Sequence, residues 1–293
     1  MASDLELCAM RQASTLAVLG LGTTSPNPPV GCVILDQRGT VVGAGSLRRK
    51  GEPHAEAHAL DAAGGAARGG TAVVTLELCN RVGVTPACRH ELIDAGISRV
   101  VIAVIDPTSR GDGPAAMLIA AGIEVETDVL RGEALTVLEP WLTATVRRTL
   151  FLTWAFGSDA GHQTAAEGRL LRDLRANADL VVEGKTVVGG TPGGHASAHF
   201  ALPGDADIGT GLPNWLSAAC EAGVRRALVV GYEHDAEMRS QLHAIDELVV
   251  AVPRTDPSRA LQVVHSDLIP AGFELVELAA DADSLTIRMR RLM

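Results

Sequence analysis

Thr71-Ala-Val-Val-Thr-Leu-Glu-Leu78 is β-rich, with too little polar alternation for a surface strand. A strand with one wet face alternates polar and apolar residues. This run does not, so it reads as a central strand covered on both faces. Working outward, a helix is expected from about His54 to Ala67, behind a Gly/Pro break. Val30–Leu35 and Thr40–Ala44 read as a hairpin around the turn Asp36-Gln-Arg-Gly39. Residues 5–19 place Leu, Ala and Met at helical spacing, and that helix stops at Gly20 and Gly22, before the stiff loop Ser25-Pro-Asn-Pro-Pro29. Downstream, Arg99–Ile105 and Glu124–Val129 repeat the central-strand character, with helical stretches near Glu91 and Met117. The order α, β-hairpin, α, β, α, β, α, β predicts an α/β domain with a mainly parallel sheet and helices on both faces.

The second half also reads as α/β. A helix is expected over Ala166–Asn177, a strand over Leu180–Glu183, a glycine-rich loop over Gly189–Gly194 and a helix around Trp215–Ala222. Arg226–Val230, Glu247–Val252 and Ser284–Met289 read as strands. A join near residues 140–150 predicts two domains, 1–145 and 146–293.

Of the 293 residues, 25 are basic and 35 acidic, a formal charge of −10. That balance argues against a sequence-independent grip on nucleic acid, which needs clustered Lys and Arg. No apolar run is long enough to span a membrane. The acidic N-terminal stretch does not read as a secretory signal, so a cytoplasmic location is expected. Five thinly spread cysteines make a poor disulfide framework. Cys8, Cys32 and Cys220 are expected to be small buried hydrophobes.

The chemistry is carried by His54-Ala-Glu56 at a helix start, Cys79 at the end of the central strand, and Cys88 nine residues on. One imidazole and two thiolates suit Zn²⁺, and three protein ligands leave the fourth tetrahedral position open, as in catalytic sites. A water there ionises near neutral pH, and Glu56 is placed to carry its proton without occupying the metal. Pro86 and Ala87 before Cys88 suggest a second helix start, whose dipole would favour the Cys88 thiolate. His58 is expected on the far side of its helix turn, and His90 to be incidental.

These residues resemble the zinc deaminase signature, His-x-Glu followed by Pro-Cys-x-x-Cys. Leu78 stands in place of the proline, and eight residues separate the cysteines. The longer spacing resembles the deaminase domain of the bifunctional riboflavin-biosynthesis deaminase/reductase family. The resemblance runs through Thr24–Gly31, Gly51–Glu56, Thr75–Cys79, Gly83–Cys88 and Asp106-Pro107. It implies a cytidine deaminase-like three-layer α/β/α domain in which His54, Cys79 and Cys88 hold zinc and Glu56 shuttles protons. Asn27 would hydrogen-bond the substrate ring, with Ala55 and Arg81 as further substrate contacts. The implied reaction is hydrolytic removal of an exocyclic amine from an aminopyrimidine or related heterocycle. A homodimer or higher homo-oligomer is also implied.

Departures from the family bear on substrate and on the second domain. The loop between the cysteines is Asn-Arg-Val-Gly-Val-Thr-Pro-Ala, with Val84 where the family has a base, and Leu47 stands at a usual histidine. A substrate without the phosphoribosyl tail, or with a different substituent, follows from these changes. The second half is similar to the family's reductase domain through Arg169–Asp179, Glu183–Val187 and Ile245–Val249, but Val230-Gly231-Tyr232 replaces its Glu-Gly-Gly turn. A degenerate reductase-like domain without bound nicotinamide cofactor is the expectation. The alternatives are an NADPH-dependent ribosylamino-pyrimidine reductase and a non-catalytic protein with structural zinc.

Overall fold

The computed structural model describes residues 1–79, 88–109, 113–157, 169–184, 186–189, 200, 211–232, 240–253, 271–280 and 284–292. The chain divides into two compact units, Met1–Val146 and Arg147–Met293.

The first unit opens with α1 (Asp4–Ala17), started by a capping box in which Ser3 and Glu6 satisfy each other's backbone N–H groups. The strands β1 (Gly31–Leu35) and β2 (Val41–Ser46) form the hairpin, and α2 (Ala55–Ala63) leads to β3 (Thr71–Leu76). Then follow α3 (Cys88–Asp94), β4 (Arg99–Val104), α4 (Gly113–Ala120), β5 (Glu124–Glu126) and α5 (Arg131–Arg147). The sheet order is β2-β1-β3-β4-β5. Residues 31–35, 72–76 and 100–104 are buried without a break, which explains why these strands lack polar alternation. The three-layer α/β/α arrangement is as expected. The mainly parallel sheet is not: β1 pairs antiparallel with both β2 and β3, while β3–β4 and β4–β5 are parallel. The crossover through α2 joins β2 to β3 on either side of β1, so the hairpin leaves β1 running against both neighbours.

Two further expectations change. The strand expected to Val129 stops at Glu126, because Asp128 and Leu130 take positive φ values of 63° and 50° and turn the chain into α5, a helix the sequence reading omitted. Cys32 and Cys220 are buried, but Cys8 is exposed. The face of α1 that packs inward is set by Ala9, Met10, Ala13 and Ala17, and Cys8 lies off it.

In the second unit, β6 (Phe151–Gly157), α6 (Arg169–Ala176), β7 (Leu180–Glu183), β8 (Thr186–Gly189), α7 (Leu212–Glu221), β9 (Arg226–Tyr232), β10 (Glu247–Pro253), β11 (Phe273–Ala280) and β12 (Ser284–Arg291) are described. The sheet order is β11-β12-β10-β6-β9-β7-β8. β6, β8 and β11 were not anticipated, and Gly190–Gly194 of the expected glycine-rich loop lie outside the described residues. β6 is the apolar centre of the sheet, parallel to both β9 and β10. Glu247 at the start of β10 is buried, accepting from Thr153 Oγ1 at 3.0 Å and pairing with Arg226 at 2.9 Å.

α2 lies directly on β2. A Cβ at Gly45 would land on the Ala55 carbonyl oxygen and within 2.7 Å of the Ala59 nitrogen, and one at Gly43 would land on the Ala59 carbonyl. Overpacking a fixed backbone contact typically costs about 1–3 kcal/mol. Gly45→Ala is therefore expected to lower the unfolding free energy by that order, read as a lower midpoint in urea titration. An unchanged midpoint would contradict this packing.

Arg99, in β4, gathers three carboxylates, from Glu6 at 2.7 Å, Glu124 and Glu126. Burial alone would raise the Glu6 pKa, but hydrogen bonds from Arg99 and Ser3 outweigh it and hold the carboxyl below its ordinary 4.5. A lowered folded pKa adds stability that is complete above the unfolded value and is lost as pH falls through the folded one. Acid titration followed by circular dichroism should show this loss below about pH 4.5, and it should be absent in Glu6→Gln.

Candidate metal and catalytic site

The site lies at the carboxyl ends of β3 and β4 and at the start of α2, where open α/β sheets take their ligands. His54 is the residue just before α2, in extended conformation at φ −69° and ψ 166°. Cys79 follows the end of β3, and Cys88 opens α3. The donor atoms of these three residues all lie within 4.8 Å of one another. His54 Nδ1 is 3.1 Å from Cys88 Sγ, and the two sulfurs are 3.2 Å apart.

The donor set fits zinc: one borderline nitrogen and two soft sulfurs, converging from three separate segments. Among the described residues no fourth His, Cys, Asp or Glu joins the group. The hydrogen bond between the two thiols lowers the Cys79 pKa, and His54 lowers it further. The Cys88 pKa is pushed up by that same hydrogen bond and by burial.

Glu56 sits in the first turn of α2 and is 3% exposed. Burial pushes its carboxyl up to about 7, against the pull of its own backbone N–H and of His54. A carboxylate that exchanges protons near neutral pH, beside a metal triad but outside it, has the properties of a general acid–base group. Ala55, between His54 and Glu56, is fully buried as the first residue of α2.

Asn27 is half-buried in the loop between α1 and β1. Its N–H donates to the Thr24 carbonyl at 2.9 Å, and Trp141 Nε1 of α5 donates to the Pro26 carbonyl at 3.2 Å. The same loop is tied to the segment after β2 by Thr23 Oγ1, which donates to the Arg48 carbonyl at 2.5 Å. Arg81 lies outside the described residues. His90 is exposed, whereas His58 is half-buried with Nε2 wholly enclosed and without a hydrogen-bond partner, because α2 presses its side chain toward Gly45. It is not one of the donors that converge at the triad.

Three residues were missed by sequence reasoning. Trp141 braces the Asn27 loop. Glu77, two residues before Cys79, is buried and accepts from the Asp106 N–H at 3.3 Å, Ser109 Oγ at 2.7 Å and the Ala115 N–H at 3.2 Å. It thereby ties the loop after β4 and the start of α4 to the strand that ends at the metal ligand. Glu91, one turn beyond Cys88, is half-buried near the triad. A buried Glu interrupting an apolar strand was the one available signal, at Glu77.

Comparison with known proteins agrees with this geometry. Residues 5–104 match the family model described as the cytidine and deoxycytidylate deaminase zinc-binding region. The riboflavin biosynthesis protein RibD of Mycobacterium tuberculosis is 44% identical over 149 residues, covering 50% of this chain and 44% of that protein. The match to such curated relatives therefore spans less than half their length. The diaminohydroxyphosphoribosylamino-pyrimidine deaminase of Buchnera aphidicola from Acyrthosiphon pisum is 47% identical over 126 residues, covering 43% of this chain and 85% of that enzyme. A crystal structure of a Thermotoga maritima deaminase/reductase shares the fold over 98% of this chain and 99% of its own, at a TM-score of 0.77 and 20% identity. The chain belongs to the zinc-dependent diaminohydroxyphosphoribosylamino-pyrimidine deaminase family.

Proposed function

We propose that the first unit hydrolyses the exocyclic C–N bond of an aminopyrimidine or closely related heterocycle. The observation that carries this reading is the convergence of His54, Cys79 and Cys88 beside a buried carboxylate, Glu56, that is not one of them. His54, Cys79 and Cys88 would hold the zinc, which supplies an electrophilic centre where water ionises near neutral pH.

The chain's own residues handle the rest of the reaction. Glu56 accepts the proton of the attacking water and returns it to the departing amine nitrogen. A C–O bond forms, the C–N bond breaks, and ammonia leaves with the electron pair and that proton. Asn27 offers an amide donor and acceptor to the ring from a loop stiffened by prolines, which limits the freedom lost on binding. Ala55 adds a small side chain and, at a helix start, an N–H that the helix ladder does not use.

The second unit we read as lacking nicotinamide-dependent reductase activity. Val230-Gly231-Tyr232 closes β9 at the carboxyl end of the sheet, the end at which such folds take their ligands, with a bulky residue type where a backbone would have to approach a pyrophosphate. Titration with NADPH, followed by quenching of tryptophan fluorescence, should give no saturable binding. Micromolar affinity would overturn this reading.

Glu56→Gln keeps every metal ligand and removes the proton carrier. Zinc content should stay near one ion per chain while ammonia release falls by about 10²–10⁴-fold. In His54→Ala the metal and the activity should disappear together, with lowered thermal stability. Undiminished turnover by Glu56→Gln would remove that residue from the mechanism.

A further inference from the structure

Asn27 stands between prolines at positions 26, 28 and 29, and a proline has no backbone N–H. Of these four residues only Asn27 can donate from the main chain, and its N–H is spent inside the loop, on the Thr24 carbonyl at 2.9 Å. Hydrogen bonds from outside can therefore hold the segment only at its carbonyls or at the Asn27 side chain. Among the described residues one side chain does so: Trp141 Nε1 donates to the Pro26 carbonyl at 3.2 Å. Trp141 is 7% exposed and lies one turn beyond Leu138, with which it belongs to the core of the first unit. Its indole is thus a fixed donor, and the peptide it fixes is the one that joins Pro26 to Asn27.

The far end of the loop is set between the segments that carry the metal triad. The Leu47 N–H donates to the Val30 carbonyl at 3.0 Å, and Gly31 opens β1 opposite Ser46 of β2. Gly45, next to Ser46, lies directly against Ala55, the residue between His54 and Glu56. On the other side of β1, the Gly31 N–H donates to Thr75 Oγ1 of β3, the strand that runs on to Cys79. Residues 30 and 31 are therefore held by the sheet, and the Pro26 carbonyl by α5. Asn27 lies between these two anchors, and its amide makes no hydrogen bond among the described residues.

We infer that Trp141 is a positioning residue for deamination: its indole N–H fixes the Pro26 carbonyl, and with it the direction in which Asn27 presents its amide to the substrate ring. This inference rests on the deaminase reading of the same site. Without the N–H, the loop keeps its anchor at β1 but loses the one at α5. The ring then binds less often in the pose that reacts, while the metal ligands stay in place.

The test is a double-mutant cycle on the zinc-loaded full chain, with the native protein, Trp141→Phe, Asn27→Ala and the two combined. The readout is kcat/KM for ammonia release from the aminopyrimidine that the native chain deaminates fastest. Trp141→Phe should lower it by about three- to tenfold, the range of one lost hydrogen bond. In the Asn27→Ala background the same change should alter it by less than about twofold, because the group being aimed is already gone. Trp141→His keeps a ring N–H and should retain more activity than Trp141→Phe. Zinc content and the visible spectrum of the cobalt(II)-substituted chain should match the native protein in every variant. Should Trp141→Phe not fold, Trp141→Met, a flexible filler without a donor, takes its place in the cycle. Undiminished turnover by Trp141→Phe or by Asn27→Ala, an equal loss with and without Asn27, or a loss that follows the zinc content would each overturn the inference. Failure of the zinc-loaded native chain to release ammonia from any aminopyrimidine would instead overturn the deaminase reading, and the role of Trp141 with it.

Discussion

Helix α2 rests on β2 with its backbone against two glycines, and this contact determines where His54 and Glu56 stand. Gly43 and Gly45 leave room for the carbonyls of Ala59 and Ala55, so the helix start is held against the sheet without intervening side chains. From that start, His54 reaches across to the sulfurs of Cys79 and Cys88, and Glu56 turns into the buried space beside them. A helix held one side chain farther from the sheet would carry the imidazole away from the strand end. The metal triad therefore depends on small residues that hold no metal themselves.

The second determinant is electrostatic. Three segments bring two thiols and two carboxyl groups into one partly buried region around the His54 imidazole. Such a concentration of anionic groups is costly without a cation. A divalent ion answers that need, and the convergence of His54, Cys79 and Cys88 marks the place where it would bind. The same burial that makes the metal-free cluster unfavourable raises Glu56 into the range where it can both take and give a proton. Stability and chemistry thus follow from one arrangement.

The central strands of the first unit were legible because burial on both faces leaves a continuous apolar run, as in residues 72–76 and 100–104. The direction of β1 was not. Periodicity reports which faces are buried but carries no information on which neighbour a strand pairs with. α5 was hidden by Gly132 and Pro140, which break a helical pattern in the sequence although tertiary packing keeps the helix continuous. β6 was hidden because its apolar run comes directly after the expected domain join. Cys8 illustrates a smaller failure: residue type alone predicted burial, whereas the helix face decided it.

Within the site, His54, Glu56, Cys79 and Cys88 were legible because soft donors at that spacing serve few other purposes. Trp141 and Glu77 act through contacts between distant segments, which leave no local pattern in the chain. The account as a whole depends on three protein ligands and one open position. X-ray absorption at the zinc edge of the metal-loaded full chain tests this most directly. It should give two sulfur scatterers at about 2.3 Å and two nitrogen or oxygen scatterers, of which one fits imidazole and the other does not. A third sulfur, or a second imidazole, would mean a closed structural site and contradict the proposed chemistry.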